Sequence, residues 1–104
     1  MASYDGFGRR FVYLPPETTE AECYRYAMDV ESRQTACPEL ISAAVGEAAE
    51  TALRRWTELE VLAKLTTMPV HLLLRVKDVR ITAGIEIIRC DTETHWIAVG
   101  MKER

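Results

Sequence analysis

Apolar residues change their spacing twice along this chain, and the changes mark out its elements. Arg10 to Leu14 (R-F-V-Y-L) is a short β-prone run ended by Pro15 and Pro16. Proline cannot donate to a ladder, which suits an edge strand. Thr19 and Glu22 follow with the Thr-x-x-Glu spacing of a capping box, whose two side chains reciprocally satisfy orphan backbone N–H groups. Behind it Cys23, Tyr26, Ala27 and Val30 recur at helical spacing, with Glu20, Glu22, Arg25 and Asp29 turned elsewhere. A first helix is predicted here, broken at Ser32 to Ala36.

Pro38 stands where a first helical residue belongs, with Thr35 or Cys37 as the cap before it. Ile41, Val45, Ala48, Ala52, Trp56, Leu59 and Ala63 then step by four or three and draw one apolar stripe. Glu50 with Arg54, Arg54 with Glu58, and Glu60 with Lys64 are opposite charges at i,i+4 on the wet side. The pattern predicts one helix over 38–65, weakened at Gly46 by roughly 1 kcal/mol relative to alanine. It ends before Thr66-Thr67-Met68-Pro69.

Beyond Pro69 the period becomes 2. Val70, Leu72, Leu74 and Val76 alternate with His71, Leu73, Arg75 and Lys77, and Lys77-Asp78 reads as a tight turn. Val79, Ile81, Ala83, Ile85 and Ile87 alternate next, with Gly84 as a bulge or close-approach site. Asp91 to Thr94 reads as a further turn, and His95 to Met101 as the last strand. The prediction is an α+β fold in β-α-α-β-β-β order, an antiparallel C-terminal meander with two helices packed on one face. The 104 residues form a single α+β domain over 1–104, with 1–8 a flexible lead-in.

Charge sharpens this picture. Residues 1–63 hold six Lys/Arg and eleven Asp/Glu (6 − 11 = −5), whereas 64–104 hold seven and five (7 − 5 = +2), which sum to the net −3. An acidic balance argues against a protein that coats nucleic acid, since phosphate binding is dominated by Lys and Arg. The division into an acidic front and a basic back fits self-association, or an anionic partner meeting the basic half. Cys23, Cys37 and Cys90 form an odd, widely spaced set, which reads as free thiols and a cytoplasmic setting. No apolar run reaches the roughly 20 residues of a membrane span.

No strong catalytic or metal motif stands in the chain, so neither a cofactor nor a metal site is predicted. His71 and His95 each lie in a predicted strand and read as partly buried structural residues. Glu17, Glu20, Glu22, Asp29 and Glu31 read as the solvated face of the first helix, favoured near its N-terminus by the dipole. The basic set is Arg75 and Lys77 on one strand, Arg80 opening the next, and Lys102 and Arg104 ending the last. In a three-stranded meander these five can converge on one surface, the geometry for holding phosphates; the other reading is a sheet whose exposed face is simply charged.

Three pieces carry a resemblance: K-L-T-T-M-P (Lys64 to Pro69), L-L-R-V-K-D-V-R-I (Leu73 to Ile81) and W-I-A-V-G-M-K-E-R (Trp96 to Arg104). With the element order, this stretch of about forty residues resembles the RelE/ParE superfamily, small toxins of bacterial toxin–antitoxin pairs. The resemblance implies a bacterial or phage protein with an antitoxin-like partner. In its ParE-like form the target is a protein, DNA gyrase. In its RelE-like form it is mRNA on the ribosome, cut without a metal, with Arg80 contacting phosphate and Lys102 at a second catalytic position. Leu72 and Leu74 stand where such nucleases carry lysines, which turns the expectation toward binding a macromolecular target. A third reading is a small interaction module or accessory subunit, with Trp56, Trp96, Tyr24 and Tyr26 as anchors. The stripe over 38–65 is long enough to serve a homodimer as well as a core.

Overall fold

The computed structural model describes residues 2–5, 8–13, 24–74 and 82–103. Within them lie the strands β1 (Ala2–Tyr4), β2 (Arg10–Val12) and β3 (Tyr24–Ser32), then the helices α1 (Glu39–Val45), α2 (Ala49–Thr66) and α3 (Val70–Leu73). The strands β4 (Ile85–Arg89) and β5 (His95–Glu103) close the order. The α+β class and the predicted succession of strand, helices and closing antiparallel strands are present, but several segments fill other places than predicted.

The largest correction is at Tyr24 to Val30; Cys23 lies outside the described residues. Tyr24 to Ser32 is not the second half of a helix but a nine-residue strand, paired along its whole length with β5. Tyr24, Tyr26, Met28 and Val30 alternate in strict period 2, and the aromatic tyrosines and β-branched valine among them favour a pleated surface. Ala27 happens to supply the extra apolar position that mimics a helical i, i+3, i+4 pattern. The proposed cap at Thr19 and Glu22 lies outside the described residues.

The middle sheet has the order β3-β5-β4, antiparallel throughout. Its third strand therefore comes from before the helices; of the strand predicted over Val70 to Val76, Val70–Leu73 forms α3 behind Pro69, and 75–76 lie outside the described residues. The fixed φ of proline suits a helix start, and L-L-L gives no alternation to hold a strand. The predicted helix over 38–65 is split at Gly46, which takes a left-handed conformation (φ 71) and ends α1. The lead-in is also structured: Ala2–Tyr4 pairs with Arg10–Val12 in a hairpin.

Register assigns the two faces of the middle sheet. Ala27, Gly100 and Ile87 are aligned across the three strands, as are Asp29, Ala98 and Arg89. This face receives α2, with Val61 and Leu65 packed on Ala27 and Ala98. The opposite face carries Met28, Val30, Ile97 and Val99, covered by Phe11 and Tyr13 from the hairpin side. The sheet is thus enclosed between α2 and the β1–β2 hairpin, an arrangement that buries apolar side chains on both faces.

Arg89 ties the edge strand β4 to α2. It pairs with Asp91 through Nε (3.1 Å) and Nη2 (2.5 Å), and its Nη1 donates to Thr57 Oγ1 (2.8 Å) and to the Arg54 carbonyl (3.1 Å). Burial alone would raise the Asp91 pKa. Hydrogen bonds from Arg89 and the Ile97 N–H, with the charges of Arg89 and Arg54, outweigh it and hold the carboxyl below its ordinary value. Arg89→Ala is expected to lower stability by about 1–2 kcal/mol, because Thr57 loses the Arg89 donor and Asp91 loses two of its hydrogen bonds, keeping that from the Ile97 N–H; urea unfolding at neutral pH measures it.

Candidate functional site

Polar groups gather at two places inside this framework. At the first, Asp5 opens the β1–β2 turn, where its N–H donates to the Arg9 carbonyl (3.0 Å) and its carbonyl accepts from Gly8 (3.1 Å). The Asp5 side chain is fully buried. Oδ1 accepts from the Arg9 backbone N–H and Oδ2 from Arg9 Nε, both at 2.9 Å. His95 Nε2, on β5, lies 2.9 Å from the same Oδ2. A carboxylate only accepts, so the network assigns a proton to Nε2. In the neutral ring Nδ1 then accepts, and the Thr94 hydroxyl 2.8 Å away is the donor. Phe11 tilts against the imidazole at 4.6 Å. The chain Asp5–His95–Thr94 runs from the buried turn to an exposed hydroxyl, beside Thr92, whose Oγ1 accepts from the Thr94 and His95 backbone N–H groups.

The second place is the seam between β3 and α2. Asp29 and Glu31 stand on the α2 side of β3, and Lys64 reaches across from the helix. Asp29 is therefore not on the solvated face of a helix, and neither is Glu31; Glu17, Glu20 and Glu22 lie outside the described residues. Lys64 Nζ donates to the Met28 carbonyl at 2.6 Å and lies 3.7 Å from Asp29 Oδ1. Burial pushes Asp29 up from 3.8 to about 7, with Lys64 opposing the rise and Glu31 and Glu60 adding to it. Among the described residues no group of three or more His, Cys, Asp or Glu side chains is placed to hold a metal ion.

Of the basic set, Arg75, Lys77, Arg80 and Arg104 lie outside the described residues. Lys102 is half-buried on β5, in register with Arg25 and Ile85 on the α2 side of the sheet. Arg25 donates from Nη2 to the Leu65 carbonyl at 3.2 Å. This position at the C-terminal end of α2 gives a cation a structural use, because the last carbonyls of a helix are unsatisfied and carry negative partial charge.

The four aromatic anchor candidates are all half-buried. Arg33 lies over the Trp96 ring at 3.8 Å, Tyr26 packs against Tyr13 at 6.1 Å, and Tyr24 lines a cavity of about 340 Å³ with Glu86, Met101 and Glu103. Among the described residues the exposed large apolar side chains are Tyr4, Val12, Leu40, Leu72, Leu74 and Ile88. Leu40 is 84% exposed, on a helix whose best-covered side chains, Ile41, Ser42 and Val45, are only half-buried. Sequence reasoning missed Asp5 and Leu40. Leu40 carried a signal, since it falls beside the Ile41–Val45 stripe and so points away from α2. No helix among the described residues is long and apolar enough to cross a membrane. No family model, curated protein or solved structure matches the chain.

Proposed function

We propose that this chain works by binding a protein partner through α1, without catalysis of its own. The observation that carries the reading is Leu40, 84% exposed at the start of a helix with no buried residue. A seven-residue helix is too short to be stable alone in water. α1 is held by its packing on α2, and it presents Leu40, Ala43 and Ala44 outward. Glu39 and Glu47 flank them, exposed and without an ion pair among the described residues. The complement is an apolar pocket rimmed by basic side chains.

A photoreactive residue at Ala43 tests this in cells. One dominant adduct is expected, and the purified adduct protein should bind Leu40→Glu at least about tenfold more weakly than the wild type, as loss of a buried anchor does. Equal binding of the two overturns the reading. A RelE/ParE-like toxin is the more specific form of the proposal, and its support is the resemblance in Lys64 to Arg104. Induced expression separates the forms. Growth arrest abolished by Leu40→Glu supports a toxin that binds protein. Arrest with cleaved ribosomal mRNA, abolished by Arg80→Ala or Lys102→Ala, supports the nuclease form. Normal growth removes both toxin forms and leaves the binding module.

A further inference from the structure

The β3–α2 seam holds more charge than it can pair. Asp29 is 14% exposed at its side chain and in register with Ala98, so β5 offers it no charged neighbour. Oδ2 has no hydrogen-bond partner among the described residues. Lys64 is the nearest cation: it gives one of its three N–H groups to the Met28 carbonyl and, at 3.7 Å from Oδ1, holds Asp29 only as a long ion pair that opposes the effect of burial without overcoming it. Glu60, one turn earlier on α2, and Glu31, the next residue on that face of β3, both act on Asp29 with like charge. Glu31 is itself raised by burial, then by Glu60 and by Asp5 on the hairpin side. Arg25, four residues back on the same strand face, is engaged with Leu65. Arg89, across β5, is engaged with Asp91 and Thr57.

We propose that Asp29 is a proton switch on this seam: protonated, it lets β3 and the C-terminal half of α2 close together, and ionised, it loosens them. The carboxylate form leaves Oδ2 charged and unsupported between two further carboxylates. The acid form needs less solvation and removes two like-charge repulsions. A folded value of about 7 against an ordinary 3.8 sets the window and the sign. The folded state holds the proton more tightly, so this contribution to stability is complete below about pH 4, falls as pH rises to about 7, and is flat above.

Urea unfolding of the whole chain between about pH 5.5 and 8 reads the switch. The wild-type unfolding constant is expected to rise about 30-fold over that window, the ratio that the two pKa values imply. Asp29→Asn should rise less than about 5-fold, its residual slope belonging to the other titrating groups. Parallel wild-type and Asn profiles overturn the proposal. A second measurement needs no variant: the carboxyl carbon resonance of Asp29 in the wild-type protein should titrate near pH 7, and a midpoint below about pH 5 overturns it equally.

Discussion

Gly100→Ala is expected to destabilise this protein by about 3 kcal/mol, although alanine is ordinarily the better strand residue by roughly 0.5–1 kcal/mol. The reason is local packing. Gly100 lies on β5 between Ala27 and Ile87, on the face that receives α2. A Cβ there would overlap Val61 Cγ1 and stand 2.9 Å from Leu65 Cδ1. Val61 is fully buried and Leu65 is 2% exposed, so neither side chain can swing into solvent. The backbone of Gly100 is not in the left-handed region, so the cost comes from contact and not from φ.

Ala27, Ala98 and Gly100 together make a floor of small residues, and α2 sits closely on the sheet because nothing larger stands there. Pushing the helix away would loosen every contact along this seam, since interiors are packed near crystal density. Val61→Ala removes the overlapping methyl. Alone it should cost about 2 kcal/mol through the cavity it leaves. Combined with Gly100→Ala it should cost less than the sum, with a coupling of at least about 1 kcal/mol. Urea unfolding of the four proteins measures the cycle. Strict additivity would mean that α2 is not seated on Gly100 in this way.

The same seam shows what could be read from the residues alone. α2 was legible because Ala52, Trp56, Leu59 and Ala63 repeat at helical spacing over about three turns, and its end at Thr66 falls within a residue of the prediction. β5 was legible from its alternation, although it runs two residues beyond Met101. β3 was misread because nine residues with Ala27 among them satisfy both periods, and a capping-box pattern before them tipped the choice. Local propensity does not decide such a segment; partners do, and β5 supplies a ladder along all nine residues. The polar sites were less legible. Asp5 and His95 are 90 residues apart, and a charge on a strand such as Asp29 looks solvated until the helix that covers it is placed. Lys102 stands in register with Arg25 near the end of α2, a neighbourhood that strand order alone creates.

Asp5→Ala is expected to lower stability by about 3 kcal/mol and to release the hairpin before the rest of the chain unfolds. The carboxyl accepts from Arg9 twice and from His95. Arg9 is 56% exposed at its side chain and can turn to water, whereas His95 is 5% exposed and cannot. Removing the acceptor therefore strands a buried imidazole N–H, and that stranded donor accounts for most of the cost. Phe11 and Tyr13 cover Met28, Val30, Ile97 and Val99 only while the hairpin stays docked. Amide exchange in β1 and β2 should then accelerate more than exchange in β3 and β5, which retain each other as partners. A second change tests the stranded-donor account. His95→Phe in the Asp5→Ala background removes the unpaired N–H and keeps a ring against Phe11, so the double variant should recover about 1–2 kcal/mol over Asp5→Ala alone. If the double variant is instead the less stable of the two, then Thr94 and the imidazole hold the β4–β5 turn independently of Asp5, and the hairpin is docked by its aromatic side chains alone.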